Sequence, residues 1–142
     1  SHRKAIEAVW YTGKLMAPIL AKTICKEKTK YVQGVWFNSA KFFDIEYQVY
    51  GEISPTPQAH ETHLYWEHSD GKKAIRIVYD TIHRNVLGFN LMGIRYRQEI
   101  CEQWISQRAN IEVVLKNLSQ ANFDPEFFKK YEGELLKSYQ NK

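Results

Sequence analysis

The stretch that decides the fold lies at residues 43–51 and reads Phe-Asp-Ile-Glu-Tyr-Gln-Val-Tyr-Gly. Apolar and polar residues alternate in it almost one by one, which is typical of a β-strand with one buried face. On its amino-terminal side, from Arg3 to about Lys26, apolar residues instead recur every three or four positions, which predicts a long amphipathic helix. Residues 27–34 are polar and basic and end at a glycine, so they indicate a connection between helix and strand.

Three more strands are predicted on the carboxy-terminal side. Residues 62–68 and 74–80 are rich in aromatic and branched side chains and flank an Asp70-Gly71 turn, so we expect them to form a hairpin. Residues 86–92 make the last strand, in which Gly88 indicates a bulge or a close approach of backbone. Four consecutive strands predict an antiparallel meander.

The last third of the chain returns to helical spacing. Apolar stripes at residues 100–105 and 111–118 predict two helices, and Asp124-Pro125 has the capping pattern that begins a third. The order of helix, strands and helices predicts an α+β fold. We expect an antiparallel sheet of about four strands with helices packed on one face, preceded by the long amphipathic helix.

Length and composition indicate one soluble domain. The chain has 142 residues, of which 44% are apolar, and no apolar run is long enough to span a membrane. The first residues do not resemble a signal peptide, so we expect a cytoplasmic protein with no membrane partner. Cys25 and Cys101 lie too far apart in sequence for a C-x-x-C redox or zinc motif.

The basic character of the chain is concentrated near its start. The net charge is +4 and the pI about 9.0, but residues 1–30 carry seven Lys and Arg against two Glu, and the remainder is nearly neutral. The predicted sheet is rich in aromatic residues, but residues 42–51 contain only acidic charges, which favours core packing over base stacking. We therefore expect no nucleic-acid partner. The aromatic residues concerned are Trp36, Phe37, Phe42, Phe43, Tyr47, Tyr50, Tyr65 and Trp66.

No segment has the pattern of a catalytic or metal site. His60 and His63 flank Glu61-Thr62 with a spacing of three, whereas the zinc motif of metalloproteases needs four, so surface histidines are the favoured interpretation. Nucleophile-elbow and phosphate-binding motifs are absent from the sequence. Arg95 and Arg97 lie in the loop after the last strand. In one interpretation they hold a phosphate or carboxylate. In the interpretation that we favour, they are solvated and pair with Glu99 or Glu102.

Three stretches in this order resemble one known family. They are Arg3-Lys4-Ala5-Ile6-Glu7-Ala8-Val9, residues 35–51, which begin Val-Trp-Phe-Asn-Ser and end at Gly51, and Val86-Leu87-Gly88-Phe89-Asn90-Leu91-Met92-Gly93. The chain resembles the carboxy-terminal part of the FAD-dependent pyridine nucleotide-disulfide oxidoreductases, especially the relatives of ferredoxin and rubredoxin reductases. That resemblance implies a helix that ends an FAD domain, followed by an interface domain of antiparallel strands and helices.

The resemblance also implies a domain organisation and a set of partners. Residues 1–30 would be the terminal helix of an otherwise absent FAD domain with its connection, and residues 31–142 the interface or dimerisation domain. Glu7, Ala8, Val9 and Trp10 would lie near the isoalloxazine ring of the flavin. The full-length protein would use FAD and NAD(P)H, with neither bound to this fragment, and the chain would contact its own upstream FAD and NAD(P) domains and a second copy in a homodimer.

The resulting hypothesis is a domain without turnover of its own in a flavin-dependent oxidoreductase. Disulfide reductases of the family place a histidine near the end of the interface domain, and the comparable residues 122–126 contain none, which favours another flavin-mediated electron transfer. The alternative is a free-standing α+β module that binds a small ligand. A deep closed pocket between sheet and helices would favour that alternative.

Overall fold

The structure is a computed structural model and describes residues 8–123 and 129–140. In these residues the chain forms four α-helices, five strands and one short 3-10 helix. The elements in chain order are α1 Trp10–Ile24, β1 Phe37–Phe42, β2 Ile45–Gly51, β3 Glu61–Glu67, β4 Ala74–Asp80, β5 Val86–Met92, α2 Gln98–Ser106, α3 Ile111–Lys116, the 3-10 helix Leu118–Ala121, and α4 Glu132–Gln140.

The five strands make one antiparallel sheet in the order β1-β2-β5-β4-β3. The prediction of an α+β fold with an antiparallel sheet is confirmed, whereas the meander of four strands is wrong in two respects. A fifth strand, β1, precedes the others, and β2 pairs with β5 rather than with β3. The connection at residues 52–60 therefore carries the chain from the interior of the sheet to its β3 edge, because β5 and β4 lie between β2 and β3 in the sheet.

The β1–β2 hairpin has few of the signals that usually reveal one in sequence. Phe42 pairs with Ile45, so Phe43 and Asp44 alone form the turn, although Asn and Gly are the residues preferred there. Phe43 takes a positive φ of 54°, and its side chain is 99% exposed. The strand β1 lies at the edge of the sheet and buries none of its side chains fully, so its sequence lacks the alternation that marks β2.

The core lies between one face of the sheet and the helices α2, α3 and α4. Two cross-strand rows of side chains form the sheet side of this core, and they are Tyr50, Phe89, Ile77 and Leu64, and Gln48, Leu91, Ile75 and Trp66. The helix side includes the buried residues Cys101, Trp104, Val114, Leu115 and Leu135. Burying each large apolar side chain contributes about 1.5–3 kcal/mol, so this interface holds the domain together. The prediction that helices pack on one face is confirmed.

Two polar side chains of β2 fix the segment that leads into α2. The backbone N–H of Tyr96 donates to Oε1 of Gln48 at 2.9 Å, and the hydroxyl of Tyr50 donates to the carbonyl of Tyr96 at 3.0 Å. Burial raises the pKa of the Tyr50 hydroxyl far above its ordinary value, so it stays a donor at neutral pH. The carbonyl oxygen of the buried Gln48 thus has a hydrogen-bond partner, as buried polar groups usually do.

The last helices differ from the sequence prediction mainly in where they begin. Asn110 caps α3, with its Oδ1 accepting the backbone N–H of Glu112 at 3.0 Å. The helix α4 begins at Glu132, and residues 129–131 are not helical. The helix start predicted at Asp124-Pro125 lies outside the described residues.

The helix α1 lies beside the β1 edge of the sheet. The ring of Tyr11 contacts the ring of Phe37 with centroids 4.9 Å apart, and Thr12 is the buried residue of this helix. The helix continues through Pro18 to Ile24, in agreement with the amphipathic helix predicted there. Its predicted start at Arg3 lies outside the described residues, but Ala8 and Val9, which the prediction placed in the helix, are not helical, because Val9 is extended at the N-cap.

Candidate functional site

The second face of the sheet points away from the core helices, and we call it the open face. Its central row runs across four strands as Val49, Asn90, Arg76 and Tyr65, in cross-strand register. A groove of about 1540 Å³ runs along this face and around the end of the sheet. The residues Tyr47, Val49, Asn90 and Arg76 contribute to its lining.

The walls of this groove come from segments with no regular structure. Residues 52–60 supply one wall, residues 33–36 another, and Ala8 and Val9 lie on its lining at the start of α1. Because these segments follow or precede the strands of the sheet, the fold itself assembles the groove from parts that are far apart in sequence.

Gly88 allows residues 52–60 to cross close to the sheet. A Cβ at this position would lie 2.8 Å from the Cγ1 of Ile53 and 2.8 Å from the carbonyl oxygen of Tyr50. The register between β4 and β5 also shifts between Val78 and Tyr79, opposite this glycine. Of the two alternatives that the sequence predicts for Gly88, the close approach is confirmed, and the β4–β5 ladder is irregular beside it.

The structure brings two of the four predicted flavin-contacting residues to the groove. Ala8 and Val9 are among its lining residues, and Val9 occupies the N-cap position of α1. Trp10 is 69% exposed, contacts the ring of Tyr11 edge-on and lies 5.2 Å from the Nζ of Lys14. Glu7 lies outside the described residues.

The helix α1 turns large apolar side chains to the outside. Its exposed apolar residues are Trp10, Leu15, Met16, Leu20 and Ile24. Leu20 is 60% and Ile24 72% exposed, which is unusual for side chains that normally lie in a core. A helix with an uncovered apolar side is typical of a surface that contacts a partner.

The acidic residues at the β3 end of the groove, Glu61 and Asp80, already accept hydrogen bonds from neighbouring residues. Oε2 of Glu61 lies 3.3 Å from Nε2 of His63 and accepts the backbone N–H of Gln58 at 3.1 Å. Oδ1 of Asp80 accepts hydrogen bonds from the backbone N–H groups of His83 and Ile82. These bonds hold the pKa of Asp80 below its usual range.

The two histidines flanking Glu61 do not form a metal site. Within residues 8–123 and 129–140, no group of three His, Cys, Asp or Glu side chains is arranged to hold a metal ion. The side chain of His60 is 63% exposed, as predicted for a surface histidine, whereas that of His63 is mostly buried beside Glu61. His63 lies on β3 with its side chain 15% exposed, so it is less accessible than the surface position predicted for it.

The arginines of the loop after β5 have structural partners. Nε of Arg95 lies 2.9 Å from Oε1 of Glu46, and its guanidinium lies 4.0 Å from the ring centre of Phe123. Arg97 donates to the carbonyl oxygen of Gln120. The predicted pairing with Glu99 or Glu102 is wrong, because β2 and the 3-10 helix supply the acceptors instead, Glu46 for Arg95 and the carbonyl of Gln120 for Arg97.

The aromatic residues of the sheet divide between the two faces. Phe37, Tyr50 and Trp66 belong to or pack against the core, as the sequence predicts. Phe42, Phe43 and Tyr65 are exposed, so the expectation of core packing is wrong for these three. The strict alternation of β-strands puts Tyr65 on the open face, and the tight turn projects the two phenylalanines into solvent.

Burial raises the pKa of the Tyr47 hydroxyl, while the positive charge of Arg76 acts in the opposite direction. At neutral pH the hydroxyl is therefore protonated and available as a hydrogen-bond donor. The groove thus offers a guanidinium, an amide and a phenol on its sheet side, which is an arrangement suited to binding polar groups.

A scan against known protein families finds no match to the chain, and a search of curated proteins finds no similar one. In the described part of the chain, no helix combines the length and the apolar character that crossing a membrane requires. The candidate site consists of a polar groove and, beside it, a helix whose apolar side is uncovered.

Proposed function

We propose that the chain is the carboxy-terminal interface domain of an FAD- and NAD(P)H-dependent oxidoreductase. In this proposal it docks on the FAD domain of its own polypeptide, covers the flavin and contributes to a homodimer, without turnover of its own. One observation carries the proposal: α1 leaves its apolar side uncovered while its first residues, Ala8 and Val9, line the groove on the open face.

The energetics of α1 support a docked partner. Burying one large apolar side chain contributes about 1.5–3 kcal/mol, so covering Trp10, Leu20 and Ile24 together would contribute several kcal/mol. A neighbouring domain in the same polypeptide binds at a high effective concentration and so loses less entropy than a separate protein would. An FAD domain in the same polypeptide would meet both conditions.

The interior of the domain favours this proposal over a free-standing ligand-binding module. The side chains between sheet and helices are packed without exposure, with Ile75, Ile77, Phe89 and Leu91 at 0%. The groove instead lies on the opposite side of the sheet, where the docked domain would sit. A closed pocket inside the sheet and helix layers would have favoured the alternative.

The direct test uses the longest natural polypeptide that contains this sequence. We expect it to purify with bound flavin, visible in its absorbance spectrum, and to oxidise NADH or NADPH with an artificial electron acceptor. The 142-residue chain prepared in the same way should carry no flavin. A longer polypeptide that refolds correctly in the presence of FAD but binds none would overturn the proposal.

The role of α1 is tested in the 142-residue chain by sedimentation velocity. We expect concentration-dependent association through the exposed side of α1, which Leu20→Glu should abolish because it places a charge in the apolar contact. Lys22→Glu on the same helix is the matched control, since Lys22 makes only an exposed ion pair with Glu27 at 3.8 Å. Association that persists unchanged in Leu20→Glu would exclude this surface as the contact.

A further inference from the structure

The arginines of the described chain fall into two groups. Three of the five have an ion-pair or hydrogen-bond partner, and these pairs are Arg84 with Glu112, Arg95 with Glu46, and Arg97 with the carbonyl of Gln120. The guanidinium groups of the other two, Arg76 and Arg108, make no hydrogen bond or ion pair to another described residue, and both residues line the groove. The unmatched guanidinium groups are therefore concentrated at one place on the molecule.

Arg76 has the more restricted position of the two. It lies on β4, an interior strand of the sheet, and is half-buried, whereas Arg108 is exposed. Its cross-strand neighbours on the open face are Asn90 on β5 and Tyr65 on β3. A half-buried guanidinium has lost part of its water and still has donors without a protein acceptor, which costs free energy unless a ligand supplies the acceptors.

Among the described residues, three carboxylates line the groove, those of Glu52, Glu61 and Asp80, and none of them makes an ion pair with Arg76. Asp80 lies four residues further along β4, about 13 Å away at the rise of an extended strand, and Glu61 is its cross-strand partner at the same end. Both already accept hydrogen bonds from their own neighbours. Tyr65 donates its hydroxyl to Glu67 at 2.7 Å, so that carboxylate has a partner as well.

We propose that Arg76 forms an oxyanion-binding subsite on the open face, with Asn90 and Tyr47 beside it. The subsite would bind one carboxylate or phosphate group of a small ligand in the groove. A guanidinium presents paired N–H groups that match two oxygens of either anion. The amide of Asn90 and the protonated hydroxyl of Tyr47 supply further donors. The groove, at about 1540 Å³, has room for a ligand of ordinary size around that group.

The subsite uses residues of this chain alone, so it does not depend on the identity of any upstream domain. Its failure and the failure of the proposed function are separate outcomes, because the first is measured on the 142-residue chain and the second on the longer polypeptide. The test is a two-dimensional NMR titration of amide signals at constant ionic strength. Inorganic phosphate and benzoate are the two probes, so that the phosphate and carboxylate sources are distinguished.

We expect at least one probe to give saturable shifts at the amides of Arg76 and Asn90. Arg76→Gln should weaken that binding by about tenfold or more, because a hydrogen-bonded charge contributes about 1.5–3 kcal/mol. Arg76→Lys keeps the charge but not the paired donors, so its affinity should lie between those of the parent chain and Arg76→Gln. Arg108→Gln removes the same charge elsewhere in the groove and should change the affinity less than about twofold.

Two results would overturn the subsite. One is the absence of saturable shifts with either probe, and the other is equal affinity in the parent chain and Arg76→Gln. Each variant is compared only if its spectrum keeps the dispersion of the parent chain. If Arg76→Gln fails this check, the comparison of Arg76→Lys with the parent chain decides, since an unchanged affinity there also contradicts paired binding.

Discussion

Replacing Gly51 by alanine should destabilise the domain more than any other Gly-to-Ala substitution compared below. Gly51 ends β2 with a φ of 78°, which costs a residue with a side chain about 1–2 kcal/mol. A Cβ there would also lie 2.2 Å from the carbonyl oxygen of Leu87 and 3.0 Å from the Cα of Gly88, and relieving such a contact costs about 1–3 kcal/mol. The two costs have separate causes, so we expect a loss of about 2–5 kcal/mol.

Alanine substitutions at two further glycines separate the cost of the steric contact from the cost of the positive φ. Gly88→Ala keeps an ordinary φ but puts a Cβ 2.8 Å from backbone and side-chain atoms, so it should lose about 1–3 kcal/mol. Gly133→Ala lies inside α4 with no atom within 4 Å, and it should gain about 0.5–1 kcal/mol because alanine favours a helix.

Urea unfolding followed by tryptophan fluorescence measures these differences, since Trp66 and Trp104 are buried in the core. The unfolding midpoints should rise in the order Gly51→Ala, Gly88→Ala, parent, Gly133→Ala, with similar m-values. A domain of this kind is stable by about 5–15 kcal/mol, so the effect at Gly51 is large enough to measure. If Gly51→Ala lies within about 0.5 kcal/mol of the parent, the close packing of the β2 end against Leu87 is refuted.

Three other outcomes are expected. Leu135→Ala, in a fully buried position of α4, should lose about 2–5 kcal/mol in the same urea assay, and a smaller change would mean that α4 does not belong to the core. The Lys73 ammonium and a backbone N–H hold the pKa of Asp70 well below its usual range, so its contribution is present above pH of about 4 and is lost as the pH falls further. The stability difference between the parent and Asp70→Asn should therefore shrink in acid, as thermal unfolding at several pH values would measure. For the half-exposed pair of Arg84 and Glu112, a double-mutant cycle should give a coupling below about 1 kcal/mol, and a larger value would contradict its solvent screening.

The sequence predicted most elements because their signals are local. Alternation located β2, composition and turns located β3, β4 and β5, and helical spacing located α2 and the end of α1, within a few residues of their observed bounds. The edge strand β1 was not predicted because it buries none of its side chains fully and because its turn to β2 is Phe43-Asp44, which contains no glycine. A hairpin without the usual turn residues leaves almost no pattern to read.

The candidate site was only partly predictable for the same reason. The sequence singled out Ala8 and Val9, which do line the groove, but only through a resemblance, and it did not single out Arg76. The available signal was one arginine between Ile75 and Ile77 in an otherwise apolar strand. A charge at such a position indicates a face that is not covered by the core, but nothing local says what lies opposite it.

By itself the sequence determined the α+β class and the antiparallel pairing of β3 with β4, because residue periods and the Asp70-Gly71 turn are local signals. It did not determine which side of β2 enters the core, since the alternation favours Tyr47 and Val49 whereas Gln48 and Tyr50 face the helices. Only the tertiary structure decided that β2 pairs with β5, that residues 52–60 cross to the far edge, and that an open face with a groove results. The physical reason is that strand partners are chosen by contacts between segments far apart in sequence. Local pattern fixes which face of a strand is apolar and does not fix which neighbour covers it.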